Sequence, residues 1–332
     1  MRSSIIGVAQ FDLSNAGSLI YVSGPGLLSS LQNSLALVDR KGGVELLKLP
    51  VGGYIYPRVS PDGKRLVYEM DNGKEAAVWI YDLSGANAPR RLTFQGANRY
   101  PEWSANGERV AFQSDREGDL GIFWQRADGT GTAERLTKPE KGIGHSPDSF
   151  SPDGQQLSFT AYNGGASAVW TLSLRDRKAT LFAEAPTGLA ESSMFSPDGR
   201  WVAYAGDSAS GVGNTIYVQG FPVTPGKYQI GTGNHPLWSR DGKQILFMPG
   251  PLVAVAVNVT TEGGFAFTSP TPVPRGGLVG APSGPRRLDI APDGRLIGVA
   301  LSAANQTAAA VLPQIQVVLN WFEDLKQRVP AR

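Results

Sequence analysis

Tyr56-Pro57-Arg58-Val59-Ser60-Pro61-Asp62-Gly63-Lys64-Arg65-Leu66 decides how this chain folds, because its centre keeps returning. A small residue, two variable positions and a glycine begin at Ser14, Ser60, Ser104, Ser151, Ser196, Ser239 and Ala291, at intervals of 43 to 52 residues. Ser60, Ser151 and Ser196 open full Ser-Pro-Asp-Gly copies, and Ala291 opens Ala-Pro-Asp-Gly. A fixed period in that range marks a repeat array. The chemistry is that of a tight turn: proline pre-sets φ at the first corner, aspartate tolerates the second, and glycine takes the left-handed position.

The flanks keep the same phase. An apolar residue precedes each turn (Leu13, Val59, Trp103, Phe150, Phe195, Trp238, Ile290), and two more follow at the sixth and eighth places, as in Leu66 and Tyr68 or Val110 and Phe112. Apolar residues two apart share one face of a strand, so each copy joins two strands. A third strand follows in Val78-Trp79-Ile80-Tyr81, Ile122-Phe123-Trp124, Val169-Trp170-Thr171-Leu172 and Thr215-Ile216-Tyr217-Val218. A weaker fourth runs through Arg90-Arg91-Leu92-Thr93 and Glu134-Arg135-Leu136-Thr137. Four antiparallel strands per period are the sequence form of a β-propeller blade.

The expected fold is therefore an all-β propeller filling 1–332 as one domain, with seven four-stranded antiparallel blades. Six blades are the alternative, with one end of the chain outside the ring. The seventh blade is expected to be incomplete: an inner strand before Ala291, a second over Arg295–Leu301 and a third over Gln314–Leu319. A short helix over 321–328, capped by Asn320 and stopped by Pro330, is expected to cover its edge with Trp321, Phe322 or Leu325.

Composition narrows the partners. The 31 basic and 29 acidic residues nearly balance, so neither nucleic acid nor an anionic membrane surface is implied. There is no cysteine, which excludes disulfides and thiolate metal sites. No stretch approaches the roughly 20 apolar residues of a membrane span. Met1 to Phe11 lacks the apolar core and cleavage pattern of a secretory signal, so none is expected.

Three stretches carry a family resemblance: Tyr56 to Leu66, Arg99-Tyr100-Pro101-Glu102-Trp103-Ser104, and Phe112-Gln113-Ser114-Asp115-Arg116-Glu117-Gly118, later closed by Arg135-Leu136-Thr137. They resemble the TolB-like propeller repeats of bacteria. The run Ile315 to Leu325 is similar to the ends of long acidobacterial proteins that join a Ser/Thr kinase to an extracytoplasmic sensor propeller. The resemblance implies the fold and suggests a periplasmic or extracytoplasmic address. It implies no kinase activity, for the chain has no glycine-rich phosphate loop and no His-Arg-Asp run. Nor does it decide function, since one fold hosts many.

Both histidines fall near one phase of the repeat. His235 lies four residues before its turn and His145 six before. Prolines 57, 101 and 236 sit three before their turns but Pro147 sits four before, so the blade turning at Ser151 is read as holding one extra residue, which brings His145 close to the His235 position. This phase is the entry of the innermost strand, on the rim opposite the aspartate-glycine turns. Elsewhere it carries Gln10, Tyr56, Tyr100, Ser192 beside Glu191, and Arg287. These side chains are expected to meet at one channel mouth.

The leading expectation is a non-catalytic recognition or sensor propeller that binds a protein, a peptide or a small polar ligand there. The alternative is a metal-dependent hydrolase or lyase, with His145, Glu191 and His235 on a divalent metal and Arg287 or a tyrosine on the substrate. Oligogalacturonate lyases, also propellers, use histidine-rich central metal sites. Against this, a rim histidine is more often an interblade hydrogen-bonding residue. The turn aspartates Asp62, Asp153, Asp198, Asp241 and Asp293 read as structural, and the tryptophans as core. Arg90-Arg91 and Arg286-Arg287 read as solvated strand ends.

Overall fold

The computed structural model describes residues 11–14, 18–22, 33–184, 188–208, 213–250, 253–279, 284–301, 315–319 and 321. Six antiparallel sheets form the ring, five of four strands and one with a fifth strand added. Blade 1 runs Tyr54–Val59, Arg65–Asp71, Ala76–Asp82 and Arg90–Arg91 from axis to rim. Blade 2 is Asn98–Trp103, Arg109–Ser114, Gly121–Arg126 and Glu134–Arg135, and blade 3 is Gly144–Phe150, Gln156–Tyr162, Ser167–Ser173 and Ala179–Glu184. Blade 4 is Ala190–Phe195, Trp201–Asp207, Asn214–Gly220 and Lys227–Thr232. Blade 5 is Asn234–Trp238, Gln244–Gly250, Val253–Thr260 and Ala266–Phe267, with Thr271–Val273 also pairing on its third strand.

Blade 6 is made from both ends of the chain. Leu288–Ile290 and Leu296–Leu301 supply its inner half, and Asn33–Val38 and Val44–Leu46 supply its outer half, with Leu296 opposite Val38 and Leu301 opposite Asn33. Its innermost strand packs on that of blade 1, so the ring closes at six. The expectation of seven gives way to the alternative. Leu19–Val22 pairs with Phe11–Leu13 on one side and Ile315–Val318 on the other, in a separate three-stranded sheet. The Ser14 turn thus does join two strands, but the ring closes without them. Ile315–Val318, expected as the third strand of the closing blade, belongs to that small sheet, because Asn33–Val38 takes its place. The helix expected over 321–328 lies outside the described residues apart from Trp321.

The repeat phases explain the core. The sixth place after each ring turn is fully buried: Leu66, Val110, Leu157, Val202, Ile245 and Ile297 each expose 0%. The eighth place gives Tyr68, Phe112, Phe159, Tyr204, Phe247 and Val299, which wedge between neighbouring sheets. Burial of each such side chain contributes on the order of 1.5–3 kcal/mol. The serine of the turn does more than stay small. Ser60 Oγ donates to Asp62 Oδ1 (2.5 Å) and accepts from Arg65 N–H (2.9 Å), and Gly63 turns at φ 73°. Ser151, Ser196 and Ser239 repeat these bonds, and Ser104 does so with Asn106. The hydrogen bond from Ser60 holds Asp62 below the usual carboxylate range. These carboxylates are turn locks, as the sequence indicated.

Closure can be tested directly. Leu35 exposes 0% and Leu46, on the neighbouring outer strand, 58%. Leu35→Ala is expected to lower the unfolding free energy by about 2–5 kcal/mol, and Leu46→Ala by no more than about 0.5 kcal/mol, in urea titrations of the whole chain. Equal effects would remove Asn33–Val38 from the ring.

Candidate functional site at the channel mouth

Each inner strand enters at the rim opposite the turns, and those of blades 1 to 5 then bulge. In blades 1, 2, 4 and 5 the ladder slips between Ile55 and Arg58, between Arg99 and Glu102, between Glu191 and Met194, and between Asn234 and Leu237. The first bulged residue is left-handed in every case: Tyr56 (φ 52°), Tyr100 (φ 55°), Ser192 (φ 57°) and His235 (φ 56°). Positive φ on a bulky residue is a strained, uncommon conformation. Its recurrence at four equivalent places makes it a property of the fold, and a bulge re-aims the side chains around it.

Below the bulges the axis is filled by charge. Arg58 Nε lies 3.0 Å from Glu102 Oε2, and its NH2 group donates to Arg286 O (2.7 Å). Arg286 in turn donates to Ser193 O (2.7 Å), Asp148 O (2.5 Å) and Glu102 Oε2 (3.3 Å). Arg286 and Arg287 expose 3% and 5%, so the expectation that they are solvated strand ends is overturned. Six converging strands bury what a linear pattern reads as a charged tail.

The predicted mouth residues divide into groups. Tyr56 and Tyr100 meet edge to face at 4.9 Å, and the Arg287 guanidinium lies 5.6 Å from the Tyr56 ring. Burial pushes the Tyr56 hydroxyl up to about 12. Across the mouth, Glu191, Ser192 and His235 converge on the backbone of one residue, Gly284. Gly284 N–H donates to Glu191 Oε1 (3.0 Å), while Gly284 O lies 2.8 Å from Ser192 Oγ and 2.9 Å from His235 Nε2. His235 therefore carries its proton on Nε2. Burial, with Arg287, Arg286 and Arg58 nearby, lowers its pKa to about 3. Gln10 lies outside the described residues.

His145 does not join them. Ser146 pairs with Thr160 as Ile55 pairs with Glu69, so blade 3 holds no extra residue ahead of its bulge; Asp148 takes the place that proline has in blades 1, 2 and 5. His145 instead matches Tyr54, and its ring packs on Phe159 (4.8 Å) as Tyr54 packs on Tyr68 (5.2 Å). Thr137 Oγ1, already accepting from Ile122 N–H, lies 3.0 Å from His145 Nδ1. Burial lowers this pKa to about 4. The expected ligand set His145, Glu191 and His235 is thus not one cluster, and among the described residues no three His, Asp or Glu side chains are grouped to hold a metal.

A cavity of about 340 Å³ opens beside Gly284, between blades 3 and 4. Tyr100, Tyr162, Asp148, Glu191, Ser146 and Ser192 line it. Sequence reasoning missed four contributors. Tyr162, which holds Gln113 Nε2 (2.9 Å), and Ser146 gave no signal beyond strand position. Asp148 collects Thr160 Oγ1 (2.7 Å) and the Ser193 hydroxyl (2.8 Å), and its departure from proline was the one available clue. Glu69, bound by Arg99 (2.8 Å) and Tyr100 N–H (3.1 Å), breaks the apolar pattern of its strand; burial raises its pKa to about 7.

Six blades, an axis stoppered by arginines and a polar mouth define a closed β-propeller with one open end. The chain belongs to the TolB β-propeller family, whose model, described as the TolB beta propeller domain, matches residues 30–216. A TolB homologue of Chlorobium luteolum is 36% identical over 121 residues, which is 36% of this chain and 26% of that protein. An uncharacterized peptidase of Bacillus subtilis is 29% identical over 119 residues, 34% of this chain and 18% of the peptidase. The matches thus span about a quarter or less of those relatives. Among solved structures, a putative TolB from Agrobacterium tumefaciens superposes with a TM-score of 0.63 at 17% identity, covering 82% of this chain and 99% of that one. An oligogalacturonate lyase from Vibrio parahaemolyticus gives 0.51 at 11%, covering 87% and 76%. At these identities both share the fold alone. No helix among the described residues is long and apolar enough to cross a membrane.

Two outcomes follow for the mouth. Arg286→Ala leaves the Ser193 and Asp148 carbonyls without their arginine donor and Glu102 with Arg58 as its remaining cation, and is expected to cost about 3–5 kcal/mol in chemical denaturation. The histidines supply a pH dependence. Their folded pKa values lie below 6.5, so the unfolded chain binds more protons, and stability held above pH 6.5 is lost as pH falls toward 4 and then 3. His235→Gln keeps a donor for Gly284 O without a titrating ring. Its stability profile between pH 6.5 and about 3 should be shallower than the parent's, by up to about 1.4 kcal/mol per pH unit. Parallel profiles would show that His235 is not buried neutral.

Proposed function

We propose that this propeller is a non-catalytic recognition module that takes a protein or peptide segment, or a small polar ligand, at the channel mouth. One observation carries the reading: the mouth is blind. The arginines fill the axis beneath it, while the 340 Å³ cavity beside Gly284 stays open and lies in the size range of ligand sites. Family membership supports the same reading, as does the commitment of His145 to Thr137 and of His235 to Gly284, which leaves the predicted metal ligands serving structure. A periplasmic or extracytoplasmic location is part of the proposal and rests on the family.

The test is site-specific photocrosslinking in the bacterium that encodes the chain. Benzoylphenylalanine at Ala166, on the mouth hairpin, is expected to give a discrete adduct; the same probe at Lys243, on the turn face, is expected to give none. Adducts from Lys243 alone, or none from either position, would overturn the proposal. So would a stoichiometric divalent metal in the purified protein together with hydrolytic or eliminative turnover lost in His235→Ala.

A further inference from the structure

We propose that the cavity between blades 3 and 4 is a receptor for a primary ammonium group, held by Glu191 and walled by Tyr100 and Tyr162. The inference rests on the recognition reading and names the chemistry of what is recognised.

The argument is one of missing countercharge. Three glutamates, two of them buried and Glu102 nearly so, face the mouth or the axis. Glu69 has Arg99 at 2.8 Å, and Glu102 has Arg58 at 3.0 Å and Arg286 at 3.3 Å. Glu191 exposes 8%, and its protein partner is a neutral one, the Gly284 N–H on Oε1. The charged groups that act on it, Asp148 and Asp207, are of its own sign. A buried carboxylate without a cation is costly, and a ligand that brings one recovers that cost. Of the arginines at the mouth and axis, Arg286 is engaged on Ser193, Asp148 and Glu102, Arg99 on Glu69 and Asp71, and Arg287 lies over the Tyr56 ring.

A second observation points to a ligand independently. Ser146 lines the same cavity, exposes 1%, and its Oγ has no hydrogen-bond partner. Buried hydroxyls are normally satisfied. An ammonium has three donors and no acceptor. One can meet Glu191 Oε2, a second can meet Ser146 Oγ, and the aromatic walls favour a cation over a neutral group. A guanidinium would need a flat, paired acceptor, but Glu191 Oε1 is already held by Gly284. The entrance is the hairpin Gly164-Gly165-Ala166, where a Cβ added at Gly164 or Gly165 would meet nothing within 4 Å. The opening therefore admits a chain behind the ammonium.

The experiment is isothermal titration of the whole chain with trialanine amide, its N-acetylated form and n-butylammonium. The free-amine peptide is expected to bind, and acetylation to weaken it at least about tenfold, the range for a lost charge-assisted hydrogen bond. Binding of the peptide without butylammonium identifies an α-amino terminus; binding of both identifies any alkylammonium. Glu191→Gln keeps an acceptor for Gly284 and is expected to lose about tenfold or more in affinity with a melting temperature no lower than the parent's. If that variant fails to fold, Ala166→Trp serves, since it fills the entrance from an exposed position and should abolish binding. Equal binding of the acetylated peptide, undiminished binding by Glu191→Gln or Ala166→Trp, or no binding of either amine overturns the inference. An Ala166 adduct in cells with no amine bound in vitro would leave recognition standing and this inference refuted; absence of both would refute both.

Discussion

The Arg286 guanidinium is the contact on which the ring depends. It sits at the entry of blade 6 and reaches carbonyls of blades 3 and 4 and the carboxylate of blade 2, while its own carbonyl receives Arg58 from blade 1. Five of six inner strands meet through two side chains. The bulges explain the need. Where a ladder slips, backbone groups lose their strand partners, and converging strands hide them from water. Arginine suits that task because its donors form a rigid planar fork and its charge survives burial. Glu102 then balances the charge, held by both arginines.

With the axis closed from within, the mouth becomes a one-ended basin, and what lies in it follows from repeat phase. The place five before the turn carries Ile55, Arg99, Ser146, Glu191 and Asn234; the next carries Tyr56, Tyr100, Pro147, Ser192 and His235. Equivalent backbones thus present unlike chemistry around one rim. Blades 1 and 2 spend theirs on a tyrosine pair and the Arg99 ion pairs. Blades 4 and 5 spend theirs on clamping Gly284, which fixes the chain as it enters the closing blade.

Local features were legible in the sequence, and long-range ones were not. Turn glycines and the sixth and eighth places repeat in every copy, so blade anatomy and core could be read from any one of them. Blade number could not. The Ser14 copy is a genuine turn, yet only pairing between distant segments decides whether its strands enter the ring, and Asn33–Val38 joins Leu296–Leu301 instead. His145 was misplaced for a similar reason. Counting from Pro147 suggested an insertion, whereas ladder register shows Asp148 filling the bulge. Glu191, Ser192 and His235 share a repeat phase in the sequence, but the residue on which they meet, Gly284, carries no side chain that could announce it.

The cavity exists where blade 3 departs from the pattern of blade 2. In blade 2 the mouth hairpin is Asp115-Arg116-Glu117-Gly118-Asp119; Arg116 folds over Phe112 and Phe123, and Arg135 takes Glu117 and Asp119, so the corresponding space is occupied. In blade 3 the hairpin shrinks to Asn163-Gly164-Gly165-Ala166, with Asn163 Oδ1 capping the turn, and no side chain long enough to lie over the strands. Its neighbour in blade 4 brings Glu191 to the same junction. A small hairpin without a buried acid would leave an apolar dimple; a buried acid under a hairpin like that of blade 2 would meet an arginine. The two departures together leave an acid in a hole, and that conjunction distinguishes this junction from the one beside the blade 2 hairpin.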